Sequence, residues 1–335
     1  MRLVAAPDKL RGTATAASAA AAIGRAAAAA GWGCDEVPMA DGGEGTLDAL
    51  GGPNRSSVVT GPLGDPVEAA WRLDGRTAVI EMACASGLAL VGGAAGNDPV
   101  AASTQGTGEL IVAALDAGAT RIIVGVGGSA STDGGLAALR ALHPLARLRG
   151  IELLVACDVR TGFLDAAPVF APQKGATPAQ VELLRRRLER LVQVYRAEHD
   201  VDVAELAGAG AAGGLARGLA AAGARLVSGF DLVADEVDLY GCIEGSDLVV
   251  TAEGFLDAQS FEGKVVGGVA ALAAAADVPV VAIAGEVFDG VEDRIEVVSL
   301  VERFGEHRAR RETVACMEEV VVEVLRLRSA GGGVQ

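Results

Sequence analysis

Short runs that are apolar at nearly every residue, each breaking into a loop of glycine and aspartate, recur along this chain. RLVAA leads into PDKLRGT (7–13), DEVPMA into ADGGEGT (40–46), RIIVGV into GVGGSASTDGG (125–135), and SDLVV into TAEGFLDAQSFEGK (251–264). A continuous apolar run, unlike an alternating one, belongs to a strand buried on both faces, which is the strand of a parallel sheet covered by helices. The segments between the runs supply those helices. Aromatics make up only 3% of the residues, so Ala, Val, Leu and Ile must build the core, and small side chains let helices lie close on a sheet. Helices are predicted near 13–30, with Thr13 or Thr15 as N-cap, from about Gly45, and over 107–117, 178–198, 264–276 and 309–328.

A chain of 335 residues suits two cores better than one. The simple strand–loop–helix alternation holds in residues 1–55 and returns in 245–335, while 56–244 reads differently. There, SSVVTGPLGDPVEAAWRLDGRTAVIEMA predicts short strands about a turn, some of them antiparallel, and Arg185, Arg186, Arg187, Glu189 and Arg190 predict a solvated helix face. The expected architecture is therefore α/β. A doubly wound domain (1–55 with 245–335) carries an inserted mixed α/β domain (56–244), with the active-site cleft between them. The tail AGGGVQ is expected to be disordered.

The net charge of −16 argues against nucleic acid and anionic membranes as partners. The N-terminal apolar stretch is too short for a signal peptide, and no segment has the ~20 strongly apolar residues of a membrane span, so a cytoplasmic protein is expected. Five scattered cysteines without a CxxC pair suggest buried structural thiols, and the three histidines sit in charged segments that suit the surface.

Of 28 basic residues only three are lysines, Lys9, Lys174 and Lys264, and each sits in a motif marked by Gly or Pro. Against an arginine-biased background, a retained lysine marks a place where a compact point charge works and a planar fork does not, or else chance survival at a tolerant site. The loops also carry Asp8, Asp41, Glu44, Asp133, Asp158, Glu253 and Asp257. Glycines let backbone N–H groups approach a phosphate, and carboxylates at strand ends suit Mg²⁺ or a base that accepts a hydroxyl proton. For any one Asp, turn capping is the competing explanation. A Walker A motif is absent, and the GxGxxG string GAGAAG (208–213) does not follow one of the apolar strand runs, as a dinucleotide fingerprint must. Together the loops favour phosphoryl transfer.

The same loops resemble those of the bacterial glycerate kinase type I family. APDKLRGT is similar to the family's APDSFKGS, and VPMADGGEGT to its P-x-ADGGEGT. GPLGDPVEA, VIEMACASGL, TQGTGELI, GVGGSASTDGG, VACDV, VFAPQKGAT, GAGAAGGL and DLVVTAEGFLDAQSFEGK follow in the family's order, from residue 2 to about 290. The resemblance implies ATP- and Mg²⁺-dependent phosphorylation of D-glycerate, most often to 2-phosphoglycerate, and a Rossmann- or flavodoxin-like half. It carries Asp8, Asp41, Asp133 and Lys264 as catalytic residues. Arg11, Gly42, Gly43, Glu44, Gly127, Gly128, Ser129, Lys174, Glu253 and Asp257 become substrate or ATP contacts, and Asp133 and Asp158 metal ligands.

Three departures stand out. Arg11 occupies the position of the family lysine in PDSFK while Lys9 replaces a serine, Phe255 replaces the arginine of GEGR, and the stretches after Gly135 and Asp158 are short. Kinases of another small hydroxy acid, and a catalytically weak relative that binds glycerate or nucleotide, remain alternatives. Small molecules are the expected partners, and a homodimer stays open.

Overall fold

The computed structural model describes residues 1–10, 12–199, 207–261, 263–288, 291 and 294–331. Arg11 and the end of the AGGGVQ tail lie outside these residues. The chain divides into two compact units, 1–41 with 230–335, and 42–229. The second unit is thus inserted in the first.

The first unit holds a five-stranded sheet. From edge to edge its strands are Glu296–Ser299, Val280–Val287, Leu248–Leu256, Arg2–Ala5 and Gly33–Glu36, and every neighbouring pair is parallel. Counted within the unit this is the order 2-1-3-4-5, the flavodoxin-like doubly wound sheet. Its topological switch point lies between Arg2–Ala5 and Leu248–Leu256. Side chains alternate between two helical layers. Leu3, Ala5, Val250, Ala252, Val281 and Ile283 pack with Ile23 of helix Ala16–Ala29 and with Met317 and Val321 of helix Thr313–Gly331. Leu256, Ala282 and Ala284 pack on the other face with Val266 of helix Val265–Ala275. The apolar runs are continuous because both faces are covered.

Helix Ala16–Ala29 starts where the Ser18 N–H donates to the Thr15 hydroxyl at 3.1 Å, which selects Thr15 over Thr13 as N-cap. It ends before Gly31, whose φ of +77° is the left-handed conformation that closes helices. The strand expected at DEVPMA lies slightly earlier, at Gly33–Glu36. Pro38 has no N–H to donate, although Val37 and Met39 still donate to Ala5 O and Pro7 O. The last predicted helix is broken at Glu312, whose φ and ψ of −125° and 33° separate Glu306–Arg311 from Thr313–Gly331. The helix expected from Gly45 is a single turn, Thr46–Ala49.

The second unit holds a six-stranded mixed sheet in the order Arg55–Thr60, Pro66–Asp74, Thr77–Glu81, Arg121–Gly125, Glu152–Cys157, Arg225–Ser228. The first three strands pair antiparallel and the remaining junctions are parallel. Helix Pro178–His199 presents Leu184, Leu188, Leu191 and Tyr195 to a core with Phe163, while Arg185 pairs with Glu182 and Glu189 on its solvated face. No helix among the described residues is long and apolar enough to cross a membrane.

Candidate active-site loops

In the inserted unit, two predicted loops and a strand end meet backbone to backbone. Gly42 has a φ of +87°, and a Cβ on it would lie 2.8 Å from the Ala156 carbonyl carbon. A Cβ on Gly127 would lie 2.5 Å from the Cα of Gly43. These glycines are required because ADGGEGT, GVGGSASTDGG and the end of strand Glu152–Cys157 approach more closely than any side chain allows. Gly127→Ala should therefore lower stability by about 2 kcal/mol or more, read as a fall in the urea midpoint of unfolding. An unchanged midpoint would show that the two loops yield freely.

GVGGSASTDGG is braced from beneath by Lys174. Its ammonium donates to Ser129 Oγ at 2.7 Å and to the Ser131 carbonyl at 2.6 Å, with the residue only 2% exposed. Burial lowers its pKa to about 7, against the opposing pull of Asp133. Asp133 is itself tied. Its Oδ2 accepts from the Thr104 N–H (3.0 Å) and hydroxyl (2.8 Å), and its Oδ1 accepts from the Gly135 N–H (3.0 Å). Around this brace Asn97 Oδ1, Ser131 Oγ and Thr132 Oγ1 are buried with no hydrogen-bond partner among the described residues. Buried polar atoms of this kind call for a partner from solvent or a ligand. Gly128 continues the loop with a φ of +71°. Glu44 is exposed, and so is Asp158 after strand Glu152–Cys157.

Glu81 lies in the VIEMACASGL run, but that motif does not reveal its role. It closes strand Thr77–Glu81, and its Oε1 accepts from the N–H groups of Gly45 (2.9 Å) and Leu47 (2.6 Å), which fixes ADGGEGT. Burial raises its pKa and the two N–H groups oppose the rise. A glutamate ending an apolar strand one residue before Met82 is the available signal, and nothing in the sequence pairs it with a loop 36 residues away.

In the first unit, the carboxyl ends of the two switch-point strands carry the acids. The chain beyond Arg2–Ala5 stays hydrogen-bonded to Leu248–Leu256, through Ala6 N–H to Val250 O and Asp8 N–H to Ala252 O, both 2.8 Å. The Thr251 hydroxyl donates to Ala6 O at 2.8 Å. Asp8 is thereby held rigidly and 5% exposed. Burial raises its pKa from 3.8 to about 7, Lys9 lowers it, and the Asp41 and Glu253 charges raise it. Lys9 donates its N–H to Asp8 Oδ1 at 2.7 Å and brings its ammonium to 3.7 Å. Glu253 is also raised, first by burial, with Ser260 and Lys264 opposing and Asp41 and Asp257 adding to the rise. Its Oε2 is buried without a hydrogen-bond partner among the described residues.

Asp257 behaves as a turn cap, its Oδ1 accepting from the N–H groups of Gln259 (2.8 Å) and Ser260 (3.1 Å). Lys264 is half-buried at the N-cap position of helix Val265–Ala275 and adds no side-chain cap of its own. The structure thus gathers Asp8, Lys9, Asp41, Glu253 and Lys264 in one unit, and Ser129, Asp133 and Lys174 in the other. Among the described residues no group of three or more His, Cys, Asp or Glu is placed to cage a metal ion. The thiols of Cys34, Cys84 and Cys157 are each pushed up to about 11, chiefly by burial, so these cysteines are unreactive near neutral pH.

Rigid carboxylates and cations at the strand ends of a doubly wound sheet, with glycine loops packed on one another, are the equipment of an enzyme that moves phosphoryl groups by positioning and electrostatics. The comparison with known proteins is narrower. A model of the glycerate kinase family matches residues 3–145 and 143–327. A glycerate kinase of Bacillus subtilis (strain 168) is 42% identical, covering 86% of this chain and 85% of that one. A glycerate 2-kinase of Escherichia coli (strain K12) is 42% identical over 76% and 77% of the two chains. A crystal structure of a Salmonella typhimurium LT2 protein assigned as glycerate kinase 2 superposes with a TM-score of 0.83 at 35% identity, over 100% of both chains. The chain belongs to the glycerate kinase family.

Proposed function

We propose that this protein transfers the γ-phosphoryl group of ATP to D-glycerate, at the 2-hydroxyl, giving 2-phosphoglycerate and ADP. Beyond family membership, the observation that carries this reading is Asp8: a rigid, buried carboxyl at the switch point with a pKa of about 7. A base is most effective when its pKa lies near the working pH. Asp8 takes the hydroxyl proton as the oxygen–phosphorus bond forms and the bond from the γ-phosphorus to the bridging oxygen breaks. Lys9, 3.7 Å from the same carboxylate, keeps part of it ionised at neutral pH.

Lys264 is the N-cap residue of an eleven-residue helix, where backbone N–H groups point outward, and its charge acts on Glu253. That combination is suited to an anionic oxygen of substrate. Lys264→Met should lower kcat about 10²-fold while Lys264→Arg recovers part of it, measured in steady-state kinetics. Equal rates for Lys264→Met and wild type would remove the assignment.

Mg²⁺ is expected with the nucleotide, held through its phosphates with one or two carboxylates from the protein, where it neutralises charge on the transferring group. Of the two carboxylates that the resemblance implies for it, Asp133 would act from a fixed position, with both oxygens accepting N–H or O–H donors, and Asp158 from an exposed one.

The decisive experiment is a coupled assay of purified protein with ATP, Mg²⁺ and a panel of hydroxy acids. Turnover on glycerate supports the proposal, and turnover on a different acid alone redirects it. Retained ATP binding with no turnover on any acid leaves only a binding protein.

A further inference from the structure

Beside the switch point, the first unit has a small solvent-open hollow at the carboxyl ends of strands Leu248–Leu256 and Val280–Val287. Strand ends next to a switch point are where doubly wound sheets take their ligands. The register that pairs Glu286 with Phe255 and Ala284 with Glu253 sets Gly254 opposite Gly285. A Cβ on Gly285 would lie 2.5 Å from the Gly254 carbonyl oxygen, so the two backbones form a bare floor. These glycines follow Ala252 and Ile283, which pack against helices Ala16–Ala29 and Thr313–Gly331, and the strict alternation ends at them, since Leu256 packs with Ala282 and Ala284 on the other face. Where the next side chains of that core would stand there is open space instead, bordered by Thr13 and Arg310.

The wall is aromatic in a chain that has almost no aromatics. Phe255 lines the hollow, 46% exposed, and its ring lies 6.1 Å from that of Phe288, itself 49% exposed, at an interplanar angle of 34°. The Phe288 N–H donates to Leu256 O at 2.8 Å, which fixes the second ring behind the first. Two large exposed rings kept together at a strand-end hollow are not explained by packing.

A flat floor, one ring face and the half-buried carboxylate of Glu286 match a planar heteroaromatic ring carrying N–H donors. They do not match glycerate, a small hydrated anion that needs converging cations. Arg310 is the cation bordering the hollow among the described residues, and it pairs with Glu306 at 3.2 Å. We propose that this hollow holds the purine base of the nucleotide, stacked on Phe255, with Glu286 accepting from the base's amino group. The proposal rests on the kinase reading and adds a base site in which this chain departs from the family pattern, where position 255 is basic.

The test is calorimetric titration of the full-length protein with Mg–ATP, Mg–GTP and inorganic tripolyphosphate. Phe255→Ala is expected to weaken ATP about ten-fold or more, as loss of one base–aromatic stack does, and to leave tripolyphosphate binding unchanged. Phe255→Trp is expected to keep ATP affinity, and Glu286→Gln to change the ATP-to-GTP ratio. Tripolyphosphate binding also reports that each variant is folded. The proposal is overturned if Phe255→Ala binds ATP within two-fold of wild type, if both ligands weaken equally, or if the wild type binds no ATP. Turnover of glycerate by the wild type is scored separately. An active wild type whose Phe255→Ala binds ATP normally sinks the base site and leaves the kinase standing. Base-dependent binding without turnover on any acid does the reverse.

Discussion

Asp8→Asn is expected to lose about 10²-fold or more in kcat and, at pH 8, to be more stable than the wild type. Both effects come from the same burial. An ordinary aspartate titrates at 3.8 and Asp8 at about 7, so between those values the native protein holds a proton that the unfolded chain has released. Stability from this group is therefore greatest at low pH and declines as pH rises from about 4 to about 7, where the native carboxyl is forced to ionise without water. Full ionisation corresponds to roughly 4 kcal/mol with the Lys9 attraction already counted, and local relaxation reduces what is recovered to the order of 2 kcal/mol. The amide keeps the hydrogen bond that Lys9 N–H makes to Oδ1 and never ionises. Urea unfolding at pH 5 and pH 8 checks this: the variant should gain on the wild type only at the higher pH. In the wild type, kcat/KM should rise through pH ~7 as Asp8 loses its proton. A variant that is inactive yet less stable at both pH values would mean that Asp8 is a structural anchor and not a strained base.

Much of the architecture is legible in the amino-acid sequence alone. The continuous apolar runs state that strands are covered on both faces, and the glycine loops state where those strands end. Strand order is not legible, because nothing local in RLVAA says that its neighbour is SDLVV some 245 residues later. The motifs point to Asp8, Asp41, Glu253 and Lys264, which the fold gathers in one unit. They do not reveal that Asp257 caps a turn or that Asp133 is held by Thr104 and Gly135, because an aspartate next to glycine reads the same in both roles. Glu81 escapes for the opposite reason: its partners are backbone N–H groups of a distant loop, and a backbone donor leaves no trace in a motif. The rare lysines also separate into two cases. Lys9 and Lys264 stand beside carboxylates at strand and helix ends, whereas Lys174 is sealed under a loop.

Lys174→Ala should lower stability by about 3 kcal/mol, because it opens a cavity and strips the donor from Ser129 Oγ and the Ser131 carbonyl. Lys174→Met fills the cavity without restoring the donor and should fall between Ala and wild type. The charge has its own signature. Burial lowers the lysine's pKa from 10.5 to about 7, so above pH 7 the native state releases a proton that the unfolded chain keeps up to about 10.5. The unfolded state then binds more protons, and stability from this group rises with pH across that window. Lys174→Met, which cannot titrate, should flatten the rise between pH 7 and 9. A lysine that served only to meet a phosphate would behave otherwise: Lys174→Met would leave the urea midpoint and its pH dependence unchanged while nucleotide affinity fell. With the ammonium 2% exposed and bonded twice to the loop it supports, we expect the stability signature, with activity falling only as GVGGSASTDGG loosens. Lys174→Arg tests the same point, since a planar guanidinium cannot occupy a space shaped for a single nitrogen and should destabilise rather than rescue.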